Sequence, residues 1–204
     1  MRFWSGYGMT EASPLIAQPF RGLPEDKLGS VGVPLPGVKV CLETETGRTD
    51  EPNQPGEIIV QGPNVMLGYY KDEKATAEIL RDGWLHTGDI GYFDNDRYLY
   101  ICGRKKNMLL VRGFNVFPEE VETCLQACPL VKDCTVYGRT DVPGTDCVCA
   151  DIVPATAGAP LTSIHDWCAG HLADYKRPHN IRFVDKLDKT ATGKNRRAQE
   201  GASK

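Results

Sequence analysis

The sequence predicts an α+β protein in two parts: a small antiparallel β-subdomain over residues 1–105, then a small α+β domain over residues 106–204. Three observations carry this expectation. Short apolar runs separated by glycine- and proline-rich turns fill the first part. From Arg104 onward the pattern changes to strands alternating with helices of 3.6-residue periodicity. Each part holds about 100 residues, within the usual size of a domain.

Each element has its own signal. In the first part VKVCLE (Val38 to Glu43) and GEIIVQG (Gly56 to Gly62) read as strands around the turn-forming TETGRTDEPNQPG. RYLYIC (Arg97 to Cys102) follows the turn DNDR as the arm of a hairpin, and a short helix fits Lys71 to Leu80. In the second part NMLLVRG (Asn107 to Gly113) reads as a strand and FPEEVETCLQACP as a helix. Pro118 suits a first turn, where no N–H is needed, and Glu119 and Glu120 suit the positive end. Val121, Cys124, Leu125 and Cys128 form the apolar stripe, and Pro129 is the expected stop. Strands follow at DCTVYG and CVCADIV. LTSIHDWCAGHLADYKRP reads as a second helix capped by Thr162 or Ser163, with Ile164, Trp167, Cys168, His171 and Leu172 facing inward. IRFVDKL is the last strand, and the chain after Arg197 is polar.

Composition excludes several classes. The chain is 41% apolar and 25% charged, as soluble globular proteins are. Its 24 basic and 27 acidic side chains give a net charge of -3, so the basic surplus of a broad nucleic-acid surface is missing. No apolar run approaches the roughly 18 residues of a membrane span, and the N-terminal sequence lacks a signal-peptide layout. The eight cysteines contain no C-x-x-C pair. They read as buried, reduced thiols rather than a zinc site or disulfide framework, which points to a reducing, cytoplasmic compartment.

The chemistry is spread over four stretches. WSGYGMTEASP places Tyr7 between Gly6 and Gly8, followed by the hydroxyl of Thr10 and the carboxylate of Glu11. An aromatic face can carry a base, and a carboxylate can share Mg²⁺ with phosphate oxygens. Taken alone, the same stretch reads as a polar loop with a helix cap more readily than as a site. GWLHTGD reads as a glycine turn that presents Asp89, a carboxylate able to accept both ribose hydroxyls; His86 within it reads as structural. GRKKN supplies the guanidinium of Arg104. KTATGKNRR supplies Lys194 after small residues, outside any Walker frame, positioned to meet developing phosphate charge.

In this order the stretches resemble the adenylate-forming superfamily: acyl-CoA synthetases, aryl-CoA ligases, luciferases and peptide-synthetase adenylation domains. The residues that carry the likeness are GYGMTE, GEIIVQGPNVMLGYY, GWLHTGD, GRKKNMLLVRGFNVFPEEVE and KTATGKNRR, from Gly6 to Arg197. GRKKNMLLVRGFNVFPEEVE is most similar to the long-chain fatty acid–CoA ligases of bacteria.

The resemblance implies a role for each matching residue. Tyr7 stacks on adenine, with Gly8 beside it in the nucleotide site. Thr10 meets the phosphate and Glu11 the Mg²⁺. Asp89 holds the ribose, and Arg104 the ribose and phosphate side. Lys106 is the hinge, Gly113 borders the channel for the coenzyme A thiol arm, and Lys194 bridges the carboxylate and the α-phosphate. Asn107 departs from the aspartate common at its position. The implied reaction joins a carboxylic acid, by preference a fatty acid, to coenzyme A through an acyl-adenylate, with ATP, AMP and Mg²⁺ as ligands. Residues 1–105 correspond to the end of the large AMP-binding domain, and 106–204 to the small domain that rotates about the hinge. The phosphate loop and the acyl pocket of longer members have no counterpart here, so the expectation is a C-terminal fragment without ligase activity of its own. A carrier-protein-loading adenylation unit and a non-catalytic nucleotide- or partner-binding paralogue are the competing readings. No nucleic acid and no transmembrane segment are expected; peripheral contact with a membrane is left open.

Overall fold

Val40 and Leu42 on one strand, and Ile58 and Val60 on the next, alternate with less buried neighbours or with residues of the opposite face, and all four are buried. That alternation is the signature of sheets with a packed face, and sheets dominate the protein. The computed structural model describes residues 5–19, 22–142, 145–189 and 195. The chain divides into two compact units, Met1–Lys105 and Lys106–Lys204.

The first unit starts with β1 (Tyr7–Gly8), β2 (Leu15–Gln18) and β3 (Val33–Pro34), which form an antiparallel sheet in that order. Next come β4 (Lys39–Thr44), β5 (Gly47–Thr49), β6 (Gly56–Gln61), the short helix α1 (Glu73–Ile79), β7 (Leu80–Arg81), β8 (Trp84–Phe93) and β9 (Leu99–Arg104). These strands make a second sheet in the order β5-β4-β6-β8-β7, with β9 also on β8. Asp72 caps α1 by accepting the Ala75 N–H at 2.9 Å. Ile16, Leu42, Ile58, Leu85, Phe93 and Leu99 are fully buried in one cluster, each worth about 1.5–3 kcal/mol of burial.

The stretch GWLHTGD is not a turn. Gly83 completes the two-residue turn after β7, and Trp84 to Asp89 lie inside the ten-residue strand β8. Between the pairs Ile59–His86 and Glu57–Ile90, β8 advances four residues while β6 advances two. Gly88, at φ +71°, absorbs this bulge. The Thr87 hydroxyl donates to the Ile58 carbonyl at 2.8 Å and accepts the Asp89 N–H at 3.1 Å, pinning the bulge on both sides.

The second unit contains β10 (Leu109–Val111), β11 (Phe114–Val116), α2 (Pro118–Gln126), β12 (Val131–Val142), β13 (Thr145–Pro154), α3 (Leu161–His171) and β14 (Asn180–Phe183). β12 and β13 form a long antiparallel pair, and β14 lies parallel to β13. Val121 and Leu125 of α2 and Ile164 and Cys168 of α3 share one core with Val136, Val148 and Ile152 of the sheet.

Several local expectations change here. NMLLVRG is strand only over Leu109–Val111, because the chain reverses at Arg112-Gly113. α2 ends at Gln126, before Pro129, and Cys128 is buried beyond the helix end. α3 follows Pro160 without a side-chain cap, so neither Thr162 nor Ser163 serves as one, and it stops at His171. His171 is exposed rather than inward, its ring stacked on Trp167 with centroids 4.2 Å apart. All eight cysteines are free thiols, and Cys128, Cys134, Cys149 and Cys168 are buried.

Candidate active site

The first unit brings three of the expected residues into one connected group. Tyr7 reaches Asp89 from β1, its hydroxyl donating to Oδ2 at 2.8 Å. Asp89 follows the β8 bulge, and its register partner on β9 is Arg104. The Arg104 Nε lies 2.7 Å from Asp89 Oδ1. Each carboxylate oxygen thus has a protein partner, and the carboxylate is buried while the guanidinium is exposed. Burial holds the Tyr7 phenol well above its usual range; the Thr87 hydroxyl opposes that rise and Asp89 adds to it. Tyr7 therefore remains a donor throughout the neutral range. Only 9% of Tyr7 is exposed, so its hydroxyl contact is the clearest feature of its placement.

Gly8 is needed by close approach. A Cβ built there meets the Pro14 carbonyl oxygen at 1.8 Å, so any side chain would displace the return stretch that leads into β2. Between them the chain makes one 3₁₀ turn, Thr10–Ala12, with the Thr10 side chain exposed. Glu11 is anchored twice. Its carbonyl accepts the Met66 N–H at 2.9 Å. Its Oε1 accepts the Tyr69 hydroxyl at 2.7 Å, which raises the Tyr69 phenol. Asn64 donates to the carbonyls of Ala12 and Leu15 at 3.0 and 2.9 Å. Asn64 and Tyr69 were not singled out from the sequence. They lie in GEIIVQGPNVMLGYY, which carries part of the family likeness, but both act across more than forty positions, so the stretch by itself does not show what they bond.

The remaining expected residues are placed separately. Lys106 is exposed in the 3₁₀ turn Lys105–Asn107. Asn107 donates to Glu119 Oε1 at 3.2 Å, a bond that an aspartate at 107 could not donate at neutral pH. Gly113 is exposed at φ +86° and Arg112 precedes it at φ 51°, so the pair forms a two-residue hairpin turn between β10 and β11. Lys194 lies outside the described residues. After α3, Lys176 pairs with Glu120 at 2.7 Å and Arg177 with Asp174 at 3.3 Å. Trp84 and Trp167 serve packing. The Trp84 ring faces the Arg48 guanidinium, and the Trp167 indole N–H donates to the Cys124 carbonyl.

Residues 1–70 match the family model for AMP-binding enzymes, and residues 120–194 that for the AMP-binding enzyme C-terminal domain. The chain is 40% identical to a feruloyl-CoA synthase of Amycolatopsis sp. over 198 residues, which is 95% of this chain and 40% of that protein. It is 38% identical to a long-chain-fatty-acid–CoA ligase of Escherichia coli O157:H7 over 93% of this chain and 34% of that protein. Among solved structures, the O-succinylbenzoate coenzyme A synthetase of Bacillus subtilis in complex with AMP superposes with a TM-score of 0.85 at 34% identity, over 94% of this chain and 39% of that one. The chain therefore spans two fifths or less of these relatives. It belongs to the adenylate-forming, AMP-binding enzymes.

Proposed function

We propose that this chain supplies the ribose wall and the small domain of an AMP-forming acid–CoA ligase. The observation that carries the reading is the Asp89 carboxylate, buried, opposite Arg104 and bonded by Tyr7. In the proposed reaction a substrate carboxylate attacks the α-phosphorus of ATP and pyrophosphate leaves. The thiol of coenzyme A then attacks the acyl carbon, loses its proton, and AMP leaves. Asp89 accepts the ribose hydroxyls. Arg104 faces the ribose and phosphate side. Tyr7 and Gly8 line the adenine side, and Thr10 meets the phosphate. Glu11 would hold Mg²⁺, and the ion would offset negative charge during phosphoryl chemistry. Lys194 offsets charge on the reacting oxygens during adenylation. Lys106 is the hinge through which the small domain turns, and Gly113 borders the thiol channel. A fatty acid is the favoured acid, supported by the relatives named as long-chain-fatty-acid–CoA ligases.

The 204-residue chain is proposed to bind AMP weakly and to form no acyl-CoA alone. Equilibrium dialysis with labelled AMP tests the site: binding is expected, and Asp89→Ala is expected to abolish it. AMP binding that survives Asp89→Ala unchanged overturns the site. Acyl-CoA formation by the purified chain, lost in Lys194→Ala, overturns the expected inactivity.

A further inference from the structure

Two carboxylates face each other on the sheet of the first unit, outside the nucleotide group. Glu43 of β4 and Glu57 of β6 are register partners, and like charges so placed repel. His86 of β8 reaches both. Its Nδ1 lies 3.3 Å from Glu43 Oε2 and 3.6 Å from Glu57 Oε2. His86 is 5% exposed, and Nδ1 has no hydrogen-bond partner. A buried polar nitrogen left without a bond is costly. One donor atom from each of the three residues falls within 4.8 Å of the others.

We propose that Glu43, Glu57 and His86 form a binding site for a zinc-class divalent cation. An imidazole nitrogen with two carboxylates suits Zn²⁺ and its transition-metal neighbours, whereas Mg²⁺ prefers oxygen alone. Surrounding groups fit the assignment. The Gly88 N–H donates to Glu57 Oε1 at 3.2 Å, orienting that carboxylate and leaving Oε2 toward the histidine. Glu43 is half-buried, which leaves a route for the ion and for a water as fourth ligand. The ion would tie β4, β6 and β8 together at the bulge that precedes Asp89.

Two cations already neighbour the carboxylates. Arg48 Nε lies 3.7 Å from Glu43 Oε1, the oxygen that faces away from His86. Lys105 Nζ lies 2.8 Å from Glu57 Oε2, the oxygen the ion would use. The Lys105 side chain is exposed and free to swing away, so lysine and metal compete for Glu57.

The test is calorimetric titration of the full 204-residue chain with Zn²⁺, joined to zinc X-ray absorption on the loaded chain. One ion per chain with nitrogen and oxygen ligands is expected, and Mg²⁺ is expected not to displace it. Glu43→Gln and His86→Gln are expected to weaken binding beyond the roughly 10–100-fold seen when even an outer-shell partner is removed. Lys105→Gln, a change at an exposed side chain, is expected to tighten it by removing the competitor. Sulfur in the ligand shell would assign the ion to the cysteines and overturn the proposal. Unchanged affinity in Glu43→Gln, or no gain in Lys105→Gln, overturns it as well.

Discussion

Asp89 and Arg104 stand directly opposite each other on β8 and β9, and their side chains close to 2.7 Å between Oδ1 and Nε. The pair unites an acid from one sequence stretch with a base fifteen positions on. Its two halves are unequal in burial, with Asp89 at 8% exposure and the Arg104 side chain at 54%. An ion pair with one exposed partner contributes little, about 0–1 kcal/mol. The buried Tyr7–Asp89 bond is the stronger tie, since hydrogen bonds to charged groups are worth about 1.5–3 kcal/mol. Tyr7→Phe is therefore expected to lower the urea midpoint more than Arg104→Gln, with the slope unchanged in both. Equal midpoints would show that Tyr7 does not anchor Asp89.

Gly8 and Gly113 are expected to fail differently as alanine. At Gly8 a Cβ overlaps the Pro14 carbonyl, so Gly8→Ala is an overpacking change costing about 1–3 kcal/mol or more. At Gly113 no atom lies within 4 Å of the added Cβ, and the cost comes from φ +86° alone, about 1–2 kcal/mol. Arg112 adopts φ 51° in the same turn, so Arg112→Asn is expected to stabilise by a few tenths of a kcal/mol. Chemical denaturation of the three variants checks the order.

Asp94 should contribute to acid sensitivity. Burial alone would raise its carboxyl, but Lys27 at 2.9 Å and the N–H groups of Tyr98 and Asp96 hold it below its usual range. A depressed carboxyl contributes stability that is present above the unfolded value and lost as pH falls through the folded one. Asp94→Asn is thus expected to lower Tm at neutral pH and to flatten the decline below about pH 4. Melting curves between roughly pH 2 and 7 measure both effects. A variant with the parent's acid slope would refute the assignment.

The thiols should separate by reactivity. Burial pushes Cys134 and Cys168 up to about 12, with the Glu122 carboxylate adding to the rise at Cys134 and Cys124 to that at Cys168. Thiolate fraction controls alkylation. Mass spectrometry of a brief iodoacetamide reaction is expected to find Cys147 modified well before Cys134 and Cys168 in the native chain. The order should collapse in denaturant.

Much of the architecture was legible in local sequence. VKVCLE alternates as a half-buried strand does, GEIIVQG is the short apolar run of a strand buried on both faces, and Pro118 with Glu119 and Glu120 marks the start of α2. GWLHTGD was misread because glycine beside aspartate is the ordinary signal of a turn. In the fold the two strands flanking it hold it extended, and Gly88 is spent on a bulge. α3 stopped early for a related reason: Leu172 turns into the core in extended geometry, which ends the helix at His171.

The order of motifs was sufficient by itself to place the chain among the adenylate-forming enzymes and to nominate Tyr7, Glu11, Asp89 and Arg104, because residue type and spacing are linear properties. Only the tertiary structure decided which nominees meet. Tyr7 bonds Asp89 across 82 positions, Glu11 takes Tyr69 instead, and Glu43, Glu57 and His86 gather from three strands. Register and bulges set those meetings, and both depend on backbone pairing between segments distant in the chain, which no local window contains.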